Sequence, residues 1–251
     1  IKKLTPGQGV RAAVVSRQGK MLGLFHALVL EDSLRLFTDR DNVPALLAAL
    51  KRYIIADDVT FKPLEDPVSV VFGPGARALL KLSDLPDGHG LLRDGLTIVR
   101  DRLLHEEAYE IAGPGPAPTA ALETWDSARI AAGVPRWGVD MGPDLLPMEA
   151  GLEPVAISYS KGCYIGQEVI QRVKTYSEPP RMLVSLSFDG AAVPSAGAAL
   201  TAETAEAGTV TSTSGTCGLA VVRKEYKVPG TRLTAAPGIG ATVKALSWQT
   251  R

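Results

Sequence analysis

Cysteine is scarce in these 251 residues: Cys163 and Cys217 are the only two, and they stand far apart in the chain. That argues against a disulfide scaffold and against a complete zinc or iron–sulfur ligand set within one chain. Histidine is nearly as rare, and His26, His89 and His105 show no metal-ligand spacing, so each reads as structural or solvent-facing and no metal site is expected. Neither sign of charge is in excess: 27 lysines and arginines face 27 aspartates and glutamates. The basic footprint of a duplex-binding protein is therefore missing, and no direct nucleic-acid partner is expected. No run approaches the ~18 apolar residues of a membrane span, and the opening Ile1-Lys2-Lys3-Leu4-Thr5-Pro6-Gly7 has no signal-peptide hydrophobic region. The expectation is a cytoplasmic, reducing location with no membrane partner. Because the first residue is not methionine, a processed, truncated or incompletely ordered N-terminus is also expected. The 45% hydrophobic content suffices for a sizeable core in one to three compact units.

The chemistry that is present is concentrated in Lys161-Gly162-Cys163-Tyr164-Ile165-Gly166-Gln167-Glu168, followed by Arg172. Two glycines bracket the thiol, as expected of a tight turn or a close backbone approach. From Gln167 onward the residues are good helix formers, with Glu168 and Arg172 spaced i,i+4. A cysteine just ahead of a helix start, two residues from a lysine, is in a setting that favours nucleophilicity or metal binding. Taken singly, Cys163 reads as a small buried hydrophobe, Tyr164 as core, and Glu168 with Arg172 as a solvated helix pair. Their density in one short stretch is harder to explain by packing. Between Lys161 and Arg181 four cations (Lys161, Arg172, Lys174, Arg181) stand against two carboxylates (Glu168, Glu178), a net +2 that suits an anionic small molecule.

The pattern along the chain is α+β. Alternating apolar stretches at Ala12–Val15, Met21–Leu30 and Ser33–Thr38 predict antiparallel strands, with Arg17-Gln18-Gly19-Lys20 and Glu31-Asp32-Ser33 as turns. Asp41-Asn42 and Pro44 mark a helix start, with Leu46, Leu47, Leu50, Tyr53 and Ile54 at helical spacing. Further strands are predicted at Val59–Phe61, Val68–Phe72, Leu96–Val99 and Ala108–Ile111, and helices at Ala76–Leu82 and Ala120–Ala132, the latter stopped by Gly133-Val134-Pro135. Gly73-Pro74-Gly75 lacks the lysine and hydroxyl of a phosphate loop and reads as a strand-to-helix turn. Ser177-Glu178-Pro179-Pro180 marks a boundary between an α+β region, residues 1–176, and residues 181–251. In the latter, short strands at Leu183–Phe188, Thr209–Ser212, Gly218–Val222, Thr231–Thr234 and Val243–Ser247 predict a small antiparallel barrel.

The pattern K-G-C-Y-x-G-Q-E-x-x-x-R, from Lys161 to Arg172, resembles the signature of the YgfZ family, folate-binding relatives of the glycine-cleavage T-protein. The resemblance covers nearly the whole chain. Gly9 to Met21, Arg129-Ile130 with Gly133 and Pro135, Pro147 to Leu152, and Gly208 to Ser212 with Leu219-Ala220 are each similar to family segments. It implies a T-protein-like ring of α+β units, two interleaved subdomains within residues 1–176, and a C-terminal antiparallel β-barrel. It also implies a tetrahydrofolate-binding accessory protein, rather than a turnover enzyme, that supports iron–sulfur cluster assembly or repair in client enzymes, including radical enzymes that modify tRNA. The partners implied are the folate, the client enzymes and cluster-assembly proteins. On this resemblance Cys163 is the functional thiol, with Lys161, Glu168 and Arg172 beside it, while Tyr164, Gly166, Gln167 and Glu149 are the candidates for folate contact.

Two positions depart from the T-protein. Gly23 falls where that protein carries a catalytic carboxylate, and a glycine supplies no general base. The folate-contacting segment of the T-protein falls at Leu103-Leu104-His105-Glu106-Glu107-Ala108, which is only loosely similar. The family's strand and helix ahead of Gly9 are also missing from this sequence, so part of the N-terminal unit is expected to be unrepresented. The competing readings are a folate-dependent aminomethyl- or methyltransferase of the T-protein type and a cysteine-dependent redox enzyme that binds no folate.

Overall fold

The computed structural model describes residues 3–56, 58–101 and 107–250. It divides into two compact units, one of residues 1–14 and 23–121 and the other of residues 15–22 and 122–251.

The first unit holds two small sheets. Strands β1 (Gly9–Val15), β2 (Met21–Val29) and β3 (Leu34–Phe37) lie side by side in chain order, and β2 pairs antiparallel with β3 from His26 opposite Phe37 to Val29 opposite Leu34. β2 is buried along almost its whole length, unlike the half-exposed alternating strand predicted, because nearly all its residues are apolar on both faces. Helix α1 (Val43–Lys51) supplies Leu46 to a cluster with Phe25 and Ala27, which Leu50 joins from the edge. The helix ends at Lys51, so Tyr53 and Ile54 lie beyond it. Asn42 precedes the helix as expected, but its side chain does not cap it. Its Nδ2 donates instead to the Leu24 carbonyl at 3.0 Å and the Thr38 hydroxyl at 2.8 Å, which satisfies the buried amide nitrogen.

The second sheet runs β4-β7-β6-β5, from β4 (Val68–Phe72), β5 (Gly90–Arg93), β6 (Leu96–Arg100) and β7 (Ala108–Ala112), all antiparallel. Helix α2 (Ala76–Leu79) covers it through Ala76, with Leu80 just beyond, against Ile98, Tyr109 and Ile111. Gly75 N–H donates to the Glu107 carboxylate at 2.9 Å, so this glycine turn is closed by a side chain of its own chain. The strand predicted at Val59–Phe61 does not form. Pro63 and Pro67 lack ladder donors, and the half-exposed Val59 finds no core to enter.

The second unit contains α3 (Leu122–Ala132), the single-turn α4 (Glu153–Ala156), α5 (Gln167–Tyr176) and the predicted barrel. The barrel has six strands: β8 (Arg181–Phe188), β9 (Ala199–Ala202), β10 (Ala205–Ser214), β11 (Cys217–Arg223), β12 (Arg232–Ala235) and β13 (Ile239–Lys244). They close in the order β10-β11-β8-β13-β12-β9, which leaves no open edge. Alternate residues point inward, as Val184, Leu186 and Phe188 do on β8, and join Leu200, Val210, Val222, Leu233 and Val243 in one core. Each such side chain contributes about 1.5–3 kcal/mol on burial. β13 ends at Lys244, short of the predicted Ser247, whose Oγ donates to the Ala132 carbonyl at 2.7 Å while Trp248 Nε1 donates to Gly133 at 3.0 Å. Those two bonds satisfy carbonyls at the end of α3. Arg129 of α3 is 2% exposed and bonds Asp140 at 2.6 Å and Ser212 Oγ at 3.1 Å. Asp140 accepts further bonds from Ser212 and Thr211, so the buried pair is fully hydrogen-bonded.

Candidate functional site

The thiol loop belongs to the second unit and is held by what flanks it. α5 begins at Gln167, just past the thiol as the sequence predicts, with Gly166 ahead of it at φ 81°. A Cβ on Gly166 would collide with the Ser16 carbonyl oxygen and lie 3.1 Å from Val15 Cγ2 and 3.3 Å from Gly19 Cα. Only glycine fits this contact, which gives Gly166 a packing role in addition to the folate contact expected of it. Ile170 is buried on the inner face of α5. Glu153 of α4 accepts from the Tyr159 hydroxyl at 3.0 Å and from Lys174 at 2.6 Å, tying the chain before the loop to α5. Burial and this bond to Glu153 push the Tyr159 hydroxyl above its ordinary pKa.

Cys163 is exposed at the surface and is not in a disulfide. Lys161 Nζ sits 5.2 Å from the centroid of the Tyr164 ring, a cation–π contact. Tyr164 N–H lies 3.4 Å from Gln167 Oε1. The Tyr164 hydroxyl is buried without a hydrogen-bond partner among the described residues, and burial raises its pKa. Glu168 and Arg172 pair at 2.8 Å on the outer face of α5, both largely in solvent. The loop thus brings Lys161 and Tyr164 together, Gln167 joins them through the Tyr164 amide, and Cys163 stands between Lys161 and Tyr164 in the chain.

Glu149 is placed differently. It is fully buried, accepts from the Leu146 N–H at 2.7 Å, lies 3.6 Å from Lys20 Nζ and 3.3 Å from Arg181 Nε, and has both oxygens engaged. That saturation makes it a brace between the Ser16–Lys20 turn and the first barrel strand. Two hollows of about 560 Å³ lie in this unit. One runs between residues 138–145 and the barrel strands β10 and β11, and the other lies along Glu168, Gln171, Arg172, Thr175 and Tyr176; Cys163 lines neither.

Sequence reasoning missed a polar cluster in the first unit. Arg11 of β1 bonds Asp101 at 2.5 Å. His26 Nε2 is 2.9 Å from the Gly88 carbonyl, so it carries the proton and donates, while Nδ1 is buried and unpartnered. Burial, with Arg11 beside it, lowers the His26 pKa. Glu110, in the middle of β7, has a buried Oε2 with no hydrogen-bond partner among the described residues. Burial first, then Asp101, pushes its pKa up to about 7, against the pull of Arg11. The sequence signal was there: Glu110 is the one charge in the strand Ala108–Ala112, and Arg11 the one charge in Gly9–Val15. An unpartnered buried carboxylate oxygen is chemistry of the kind that suits the N–H-rich edge of a pterin. Of the segment Leu103 to Ala108, residues 103–106 lie outside the described residues. A Cβ on Gly23 would lie 2.8 Å from Leu46 Cδ1 and 3.4 Å from Asn42 Nδ2, so α1 leaves no room there for a carboxylate side chain. Among the described residues no group of three or more His, Cys, Asp or Glu side chains is placed to hold a metal ion, and no helix is long and apolar enough to cross a membrane.

Comparisons with known proteins agree with these features. The family model of the CAF17 C-terminal β-barrel domain matches residues 181–250, the closed barrel. A putative chloroplastic transferase of Arabidopsis thaliana is 25% identical over 283 aligned residues, covering 100% of this chain and 65% of its own length. The tRNA-modifying protein YgfZ of Enterobacter sp. (strain 638) is 28% identical over 215 residues, covering 78% of this chain and 66% of its own. The chain therefore spans just under two thirds of the length of these curated relatives. The crystal structure of the glycine cleavage system aminomethyltransferase T from Bartonella henselae superposes with a TM-score of 0.86 at 24% identity, over 98% of this chain and 77% of that one. The T-protein-like fold expected from the octet is the fold observed, and the chain is similar to the YgfZ protein over most of its length and to the CAF17 barrel domain over residues 181–250.

Proposed function

We propose that this chain is a tetrahydrofolate-binding, YgfZ-like accessory protein that supports iron–sulfur cluster assembly or repair in client enzymes, tRNA-modifying radical enzymes among them, through Cys163. The observation that carries the reading is the thiol itself: exposed, free, two residues along the chain from Lys161, on a loop fixed at Gly166. A packing cysteine is buried; this one is presented. The printed name of the YgfZ relative, a tRNA-modifying protein, supports the choice of client class. The proposed setting is the cytoplasm, where a free exposed thiol stays reduced.

Each residue then has a task. Cys163 is the thiol that holds or relays iron or sulfur, and Lys161 and Arg172 attract anionic groups to it. Glu168 holds Arg172 on the outer face of α5. Tyr164, Gly166, Gln167 and Glu149, all of the second unit, are the candidates for contact with the folate. Bound folate supplies a one-carbon carrier. With two cysteines in the chain, a four-thiolate cluster needs thiols from a partner. Aminomethyl transfer is disfavoured by Gly23, where no base can be accommodated beside Leu46.

Two measurements test this together. Cys163→Ala should abolish support of a client cluster enzyme while leaving thermal stability and tetrahydrofolate affinity intact. Absence of any heat on titrating tetrahydrofolate into the wild type would instead favour a cysteine-dependent enzyme without folate, and turnover of an aminomethyl donor would favour a transferase.

A further inference from the structure

The thiol loop contacts a part of the chain nearly 150 positions earlier. The turn Ser16–Lys20, closed by Ser16 N–H to the Lys20 carbonyl at 2.8 Å, lies against the start of α5 within the same compact unit. Gly19 packs against the start of α5, its Cα 3.3 Å from where a Cβ on Gly166 would lie. A Cβ on Gly19 would lie 3.1 Å from Leu146 Cδ2 and 3.2 Å from Val169 Cγ1, and one on Gly166 would strike the Ser16 carbonyl. Both glycines have positive φ, 75° and 81°, where any other residue is strained. The turn is in its own right bolted down. Lys20 Nζ donates to the Asp144 carbonyl at 2.7 Å and sits 3.6 Å from Glu149 Oε2, and Met21 N–H donates to the Leu145 carbonyl at 2.9 Å. Arg181, the first residue of the barrel, reaches the same two acids, Glu149 at 3.3 Å and Asp144 at 3.0 Å.

We propose that the Ser16–Lys20 turn is the positioning element of the Cys163 loop. Lys20 anchors the turn to Glu149 and Asp144, and Gly19 transmits that anchorage to Gly166 and so to the first turn of α5. Cys163 itself is exposed, and the next glycine after it that is packed against backbone is Gly166, three residues on. A loop with an exposed tip is held only at its ends, so the geometry of the thiol depends on this contact. Lys20 is thus a positioning residue that touches neither thiol nor ligand. The inference rests on the proposed function only in taking Cys163 as the working thiol.

Hydrogen–deuterium exchange of the full chain, read on peptides covering residues 161–170 and on barrel peptides covering 183–188, tests it beside the client assay. Lys20→Met should speed exchange in 161–170 by about tenfold, leave 183–188 unchanged and lower client support toward the Cys163→Ala level, and Lys20→Arg should restore both. Gly166→Ala, which removes the contact from the other side, should give the same local acceleration. Unchanged exchange at 161–170 in both variants overturns the proposal. So does equal acceleration in the barrel peptides, which marks general destabilisation, and so does full client support from a Lys20→Met protein with an accelerated loop. If Cys163→Ala itself keeps full client support, the functional reading fails and the exchange data alone decide the positioning role.

Discussion

Replacing Glu110 with glutamine should change how stability depends on pH, and the sign follows from its surroundings. In the folded protein the carboxyl group is held up to about pH 7, from an ordinary 4.5, by burial and by Asp101 and Asp39, with Arg11 opposing. The folded state therefore keeps a proton that the unfolded chain releases near pH 4.5. Between those limits the native state binds more protons than the unfolded one, so stability falls as pH rises through the window from about 4.5 to 7. At ~1.4 kcal/mol per pH unit the full interval of about 2.5 units corresponds to ~3.5 kcal/mol, and the partial exposure of the residue reduces that to ~2 kcal/mol. Glu110→Gln keeps the shape and has no proton to lose. Urea unfolding of both proteins at pH 4.5 and pH 7.5 isolates the effect, because groups unrelated to Glu110 cancel in the difference. The wild type should lose ~2 kcal/mol relative to the glutamine variant over that range. Curves that stay parallel at both pH values would refute the buried, proton-retaining Glu110.

The buried pair on α3 gives a second expectation. Arg129→Met should cost ~3–5 kcal/mol, because Asp140 is left charged and buried, and the double variant with Asp140→Leu should cost less than the two single variants added together; strict additivity in a double-mutant cycle would contradict the pairing. At Gly23, an aspartate should destabilise the first unit by ~1–3 kcal/mol through the clash with Leu46, and should confer no aminomethyl transfer. Thermal unfolding and a turnover assay read those two effects, and an active, undisturbed Gly23→Asp protein would overturn the packing argument.

Much of this architecture is written in local pattern. The barrel strands were legible because Val184 to Phe188 alternates with serines as a half-buried strand requires and Gly218 to Val222 is a short apolar run between polar flanks, and α5 because good helix formers follow Gly166 without a breaker. β5 escaped because four residues are too few to show a period, although Asp94-Gly95 behind it, both at positive φ, is a two-residue hairpin turn that announces two strands. β9 escaped for a related reason: Ala-Leu-Thr-Ala has little β preference of its own, and closure of the barrel recruits it. In the site, the helix start just past the thiol and the pairing of Glu168 with Arg172 are local facts and were readable. The engagement of Glu149 by Lys20 and Arg181 depends on residues far away in sequence, and so does the cluster of Arg11, Asp101 and Glu110. No window along the chain contains those partners.

The most direct measurement is client-enzyme activity with Cys163→Ala beside Cys217→Ser, each matched to the wild type for folding and for tetrahydrofolate binding. The account predicts that the first variant loses client support while still binding folate, and that the second, whose sulfur lies on a barrel strand, behaves as wild type. Full support from the Cys163→Ala protein would contradict it.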